Sequence, residues 1–354
     1  MIWHWPLPKA PWTQLHWVIA ASWAWAALVA ERVLEVPGSP LRSAALVLGS
    51  IAVVGSASWA ARRFASSPLR HLPWLLFAYL AAAQWYRLVL RHQYEASPAS
   101  RIVGPAESLW RPITTTDVVL RYYTLRSKQL SVEKLRLVLL ADLHVTHALP
   151  RAYYEHVFDL VSAQDADLIL LLGDYVADSD NVELMAQLLA RHWPARMGAF
   201  AVLGNHDLWT DPARVREALR SSNVTLVEGR CQHLPASIGA VAICGTDTPW
   251  GPELSSALDR AELNLVLSHT PDNVFGLAQR GASLVLAGHT HGGQIRVPGF
   301  GPVVIPSRFG RLFDRGHFHV GGSDLFVSAG VGADNPPLRI YCQPEILVVD
   351  LVRP

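Results

Sequence analysis

The chain has 354 residues, of which 51% are hydrophobic, and its 30 Lys/Arg against 29 Asp/Glu give a formal charge of +1. That length allows two or three domains, and three scattered cysteines are too few for a disulfide framework or a zinc knuckle. Charge is unevenly spread: residues 1–110 hold ten of the 13 Trp and a formal +5, whereas the remainder is −4 and lacks the basic patch that nucleic-acid binding requires.

Residues 10–30 and 43–61 contain no charged side chain, and 71–86 is uncharged and continues apolar around Arg87. About 20 residues of helix span a bilayer core, so the first two stretches qualify. Arg87 and Arg91 can snorkel to lengthen the third. Trp12, Trp59, Trp74 and Trp85, near the segment ends, suit an aromatic belt. The further apolar segments speak against a cleaved signal peptide. Residues 1–91 are therefore expected to form a helical transmembrane region of about three spans, making a multi-pass protein of the cell membrane. Loop charge leaves the orientation open: Arg62, Arg63 and Arg70 favour one side, Arg91 and Arg101 the other.

Residues 92–112, with Pro98, Gly104, Pro105 and Pro112, read as a linker to a catalytic domain over 113–354. Strands are expected at 116–124 and 135–141. Helix-like segments then follow at 151–163, 181–193, 211–222, 254–260 and 272–280, alternating with apolar runs. Val241–Gly245 reads as a strand with Cys244 as a small buried residue. The tail returns to strands at Leu325–Ala329, Leu338–Cys342 and Glu345–Leu351. Alternation followed by a strand-only tail implies a layered α/β fold with mixed sheets.

Five apolar runs end in residues of metal-ligand type. Leu137–Ala141 leads to Asp142-x-His144, Leu168–Leu172 to Gly173-Asp174, and Ala199–Leu203 to Gly204-Asn205-His206-Asp207. Leu263–Ser268 leads to His269, and Ser283–Ala287 to Gly288-His289-Thr290-His291-Gly292-Gly293. Loops at the carboxyl ends of strands are where α/β proteins build their sites. Asp, His and Asn without Cys suit Mn²⁺, Fe²⁺ or Zn²⁺. Seven such residues exceed one tetrahedral site, which points to two ions with Asp174 as the natural bridge. His206 is then free to donate a proton to a leaving oxygen.

This series resembles the calcineurin-like metallophosphoesterases over roughly residues 115–352. The resemblance implies an α/β/β/α sandwich and two divalent ions. Asp142, His144, Asp174 and His291 would hold one; Asp174, Asn205, His269 and His289 the other; His206 would be the catalytic histidine. The stretch Gly292-Gly-Gln-Ile-Arg-Val-Pro-Gly-Phe300, with Pro306-Ser-Arg-Phe309, is similar to membrane-associated bacterial phosphodiesterases, some of which hydrolyse UDP-diacylglucosamine. The expected function is hydrolysis of a phosphodiester or pyrophosphate bond, with a lipid-linked substrate such as UDP-2,3-diacylglucosamine as one candidate. The alternatives are a phosphatase or phosphodiesterase with a soluble or protein substrate, and a non-catalytic binding scaffold. One departure stands out: relatives often carry an acidic residue three positions after the bridging Asp, to orient the histidine, and here that position is Ala177.

Other residues have plainer expectations. His147, His156, His192 and His233 read as surface or loop histidines, and Asp207 as a partner of the ligands rather than a ligand. Arg308, Arg311 and Arg315, among the apolar residues of 299–315, either grip a phosphate or line a solvated loop. The loop's Phe300, Val303, Val304, Ile305, Phe309, Leu312 and Phe313 either meet an acyl chain or pack on the domain.

Overall fold

The computed structural model describes residues 82, 85, 86, 89–251, 258, 262–298, 301, 302 and 304–354. The three uncharged stretches fall almost wholly outside the described residues, as does the helix expected over 254–260. Among the described residues no helix is long and apolar enough to cross a membrane. The chain divides after Leu90, and the second unit, Arg91–Pro354, holds the sheets and the site.

The first sheet runs in the order β1 (Arg101–Val103), β2 (Val119–Arg126), β15 (Glu345–Val352), β3 (Lys134–Leu140), β4 (Leu168–Leu171), β5 (Ala199–Ala201), β6 (Val224–Leu226). The second runs β13 (Gly316–Val320), β14 (Ser323–Val327), β10 (Leu284–Ala287), β9 (Leu263–Leu267), β8 (Val241–Gly245), β7 (Cys231–His233). A two-stranded ribbon joins β11 (Arg296–Val297) to β12 (Gly301–Pro302). Both large sheets are mixed: β3 to β6 run parallel while β15 opposes β3, and β8, β9, β10 and β14 run parallel while β7 opposes β8.

Alternation inside the apolar runs explains the layers. In β3, Val138 and Leu140 face one core with the helices, whereas Leu137 and Leu139 face a second core shared with Ile243, Leu265, Leu286 and Phe326 of the other sheet. A strand covered on both faces must be apolar at every position, which is why these runs lack a polar alternation. The helical layer is α1 (Arg151–Ser162), α2 (Val182–Leu189) and α4 (Pro212–Ser221). In α1 the buried residues Tyr153, Tyr154, Val157, Phe158 and Val161 recur at helical spacing and form one stripe. Helix α4 starts where Asp211 accepts from the Arg214 amide at 3.0 Å and Pro212 takes the first turn. On the far side of the second sheet, Phe275 of the short helix α5 (Val274–Gln279) meets Tyr94, Phe309 and Phe313, and Phe313 meets Phe318 of β13.

Three expectations need correction. The linker over 92–112 is not a free spacer: it supplies β1, paired antiparallel with β2. Leu338–Cys342 is not a strand. Ile340 makes only isolated bridges to Ile113 and Ile295, because Arg339 turns inward and Tyr341 takes a positive φ of 48°. Cys244, expected only as a small buried residue of a strand, is also paired: Cys231 and Cys244 face each other across β7 and β8 and form a disulfide, leaving Cys342 free.

Candidate active site

The carboxyl ends of β3, β4 and β5 meet those of β9 and β10, and the turns that follow them are stitched together across the sheets. The Asp142 carboxylate accepts from the His289 amide at 2.9 Å, and the His269 ring places Nδ1 2.8 Å from the Leu172 carbonyl. All seven expected ligands lie here, buried, with His206 at the edge. Asp142, His144 and His291 bring ligand atoms within 4.8 Å of one another, and so do Asp174, His269 and His289. One oxygen joins the groups: Asp174 Oδ2 lies 3.3 Å from Nε2 of His144 and 3.3 Å from Nε2 of His269. Asn205 Oδ1 sits 3.0 Å from His269 Nε2.

Backbone conformation aims these side chains. Asp142, His144, Asp174, His289 and His291 take φ between 38° and 68°, five of the nine non-glycine residues with positive φ among those described. Such residues cost on the order of 1–3 kcal/mol each and persist where the surroundings over-determine them. Glycine makes room beside them. A Cβ on Gly288 would overlap the Asp142 carboxylate, and one on Gly204 would overlap that of Asp174.

Burial and charge work against each other in the cluster. Burial disfavours ionised Asp174, yet the pull of His269 and His206 holds its carboxyl well below the usual range. Burial likewise opposes a charge on His269, but Asp174 beside it raises the imidazole to about 9. Burial, with His269 nearby, pushes His289 down to about 3, and burial with His144 and Arg339 holds His291 well below its ordinary value. For Asp142, burial dominates and lifts the carboxyl to about 6.

His206 and Asp207 lie on α3 (Asn205–Thr210), a helix absent from the sequence reading. His206 keeps its orientation despite the missing acid: its Nδ1 is 3.0 Å from the carbonyl of Ala177, the residue at that very position. Its Nε2 is left facing the site, 3.8 Å from Asp334 Oδ2. Asp207 is a hub rather than a ligand. Its carboxylate accepts from the amides of Asp174 (2.8 Å), Tyr175 (2.8 Å) and Gly204 (2.9 Å), tying two ligand-bearing turns together.

A family model, calcineurin-like phosphoesterase, matches residues 135–293. The Escherichia coli phosphodiesterase YaeI is 30% identical over 61% of this chain and 82% of its own length. The chain belongs to the calcineurin-like phosphoesterases. The Bacillus subtilis metallophosphoesterase YkuE is 27% identical over 61% of this chain and 78% of its own. A Helicobacter pylori metallophosphoesterase is 26% identical over 62% of this chain, which spans 60% of that relative's length. The Pseudomonas putida nuclease MPE structure, at 17% identity and a TM-score of 0.27 over 55% of this chain and 74% of its own, is too distant to carry anything over. The domain is that of a metal-dependent phosphoester hydrolase.

The residues present fit the divalent ions typical of this family. All donors are nitrogen or oxygen. Nε2 of His144 and Nε2 of His291 lie 3.1 Å apart with Asp174 Oδ2 close by, so lone pairs converge where one proton cannot satisfy them all. Nδ1 of His144 is buried without a partner.

Two residues escaped the sequence reading. Arg339, fully buried, donates to the carbonyls of Ala329 (2.6 Å), Gly332 (2.7 Å) and His291 (3.2 Å) and so clamps the turn that carries His291. A lone Arg between Leu338 and Ile340 was the available signal. Asp334 had none, since its place beside His206 is set by a fold-back of the tail. The arginines of the 299–315 loop turn to the protein: Arg311 donates to the Pro302 carbonyl, half-buried Arg315 lies 3.7 Å from Glu107, and half-exposed Arg308 lies 3.7 Å from Asp272. Ile305, Leu312 and Phe313 are buried, so the described apolar residues mostly pack on the domain; Phe300 and Val303 lie outside the described residues. His147, His156, His192 and His233 are exposed.

Proposed function

We propose that the protein is a membrane-anchored hydrolase of a phosphodiester or pyrophosphate bond, using two divalent ions of Mn, Fe or Zn. Asp142, His144, Asp174 and His291 would hold one ion, and Asp174, Asn205, His269 and His289 the other. The observation that carries this reading is the single oxygen of Asp174 equidistant, at 3.3 Å, from the imidazoles of His144 and His269. Such ions supply electrophilic activation of a phosphoryl group and acidify water. The chain's own residues do the rest. His206, its Nδ1 engaged by Ala177, presents Nε2 to the leaving oxygen and carries the proton delivered there. Asp207 and Arg339 hold the turns, and Asn205 keeps the His269 ring in place.

A diester rather than a monoester is supported by the relative YaeI, a phosphodiesterase. The anchor is supported by the uncharged stretches 10–30, 43–61 and 71–86. A lipid-linked substrate, UDP-2,3-diacylglucosamine among them, rests on that anchor, because the described apolar side chains of the 299–315 loop mostly pack on the domain. The disulfide supports an oxidising compartment for the catalytic domain. The decisive experiment is Asp174→Ala in purified protein. Hydrolysis of bis(4-nitrophenyl) phosphate should disappear and metal content by elemental analysis should fall; wild-type turnover in that variant would sink the assignment.

A further inference from the structure

Beside His206 stand two groups that the hydrolytic cluster does not use. Trp209, one turn along α3, has its ring centroid 5.2 Å from that of His206 and is 54% exposed. It is backed by Trp250, stacked 5.7 Å away at 26°, which fixes the indole as a platform. Asp334 is the second group. Its backbone is gripped by Gln294, which accepts from the Asp334 amide at 2.9 Å and donates to its carbonyl at 3.0 Å. Its Oδ1 accepts from the Asn335 amide at 2.7 Å, which leaves Oδ2 turned toward His206. The side chain is 48% exposed, and no Lys or Arg among the described residues pairs with it.

A half-exposed carboxylate at the rim of a phosphate-cleaving centre favours a substrate that brings a cation to meet it. An indole face and a carboxylate without a Lys or Arg partner together are how proteins hold an ammonium group, the indole through its quadrupole and the carboxylate through charge. We propose that Trp209 and Asp334 form a subsite for a cationic aminoalkyl group, of the ethanolamine or choline kind, on the leaving side of the scissile phosphate. This deepens the hydrolase reading and rests on it. The reaction balances with water alone. Water gives its hydroxyl to phosphorus and its remaining proton to solvent, the bond from phosphorus to the aminoalkyl oxygen breaks, that oxygen takes a proton from His206, which solvent recharges, and a phosphomonoester and an amino alcohol leave. A two-carbon spacer between the oxygen and the nitrogen suits an acceptor 3.8 Å beyond the histidine.

The test is a binding comparison on the full chain in detergent, by calorimetry. Phosphocholine is set against 3,3-dimethylbutyl phosphate, the isostere with carbon in place of nitrogen. The expected result is about 10-fold tighter binding of phosphocholine. That preference should shrink at least threefold in both Trp209→Ala and Asp334→Asn. Equal binding of the two ligands, or a preference that survives both substitutions, overturns the proposal. So does tighter, Trp209-dependent binding of UMP, which would make the platform a nucleobase site. Turnover of bis(4-nitrophenyl) phosphate, measured alongside, reports separately on the hydrolase reading.

Discussion

At the scale of single residues, sequence reveals side chains but not the carbonyls that steer them. The series from Asp142 to His291 could be gathered from the chain because each member directly follows an apolar run, and the structure brings all eight residues to one place. Ala177 could not be read the same way. Its side chain suggests a lost orienting acid, whereas its carbonyl oxygen, 3.0 Å from His206 Nδ1, does the orienting. That fixes the ring: Nδ1 donates to the carbonyl, and Nε2 is the atom that delivers a proton when the ring is in its imidazolium form. His206→Asn should therefore lose about 10²–10⁴-fold in turnover, the usual worth of a positioned acid. Its metal content should match wild type, and the loss should shrink with 4-nitrophenolate as the leaving group. An equal loss across leaving groups would instead indicate that His206 positions the phosphate.

At the scale of elements, long amphipathic helices and doubly covered strands were the legible part. Helices α1, α2, α4 and α5 fall inside segments expected from periodicity, and β15 falls at Glu345–Val352 where the tail strand was expected. Short pieces were not legible. Helix α3 opens directly on Asn205-His206-Asp207, a motif that reads as a ligand-bearing loop, and β13 carries two histidines that interrupt its apolar residues. The turn after β9 holds a further device. Asp272 is buried, accepts from the hydroxyl of Ser307 and from the Arg308 amide at 3.0 Å, and so ties the 304–315 segment to the end of β9. Burial raises its carboxyl to about 6, against the hydrogen bond from Ser307 and the charge of Arg308. A folded-state value above the unfolded one contributes stability that is fully present below about 4 and lost as pH rises through about 6. Asp272→Asn keeps the neutral form at all pH values. Its Tm relative to wild type should therefore climb between about pH 4.5 and pH 7.5 by differential scanning calorimetry. A difference that stays flat would show that the carboxyl titrates as though exposed.

At the scale of the whole molecule, charge in the N-terminal third left the sidedness of the catalytic domain open, and pairing of Cys231 with Cys244 weighs on it. Sequence could not show that pairing, because the partners lie on neighbouring strands joined by a turn whose register is set only on folding. An oxidising compartment preserves such a bond, and a reducing one does not. Protein denatured directly from cells under alkylating conditions should thus expose one reactive thiol per chain, Cys342, and three after reduction. Three thiols before reduction would place the domain in a reducing compartment.

The stretch after Arg91 has a consequence for how copies of this molecule behave in a crowd. Sheet edges are templates on which identical chains can pair and aggregate, and short or covered edges blunt that tendency. Among the described residues, β1, β6 and β7 end their sheets with three residues apiece, and β7 is also covalently fastened to its neighbour. The remaining edge, β13, is the longest at five residues. There the segment before β1 lies alongside: Glu95 bridges Phe318, and the Ala96 amide donates to the His317 carbonyl at 3.0 Å. Residues that look like a mere connector in the sequence thus sheathe one sheet edge and, through β1, close off another, so colloidal stability of the catalytic domain depends on them as much as on its core.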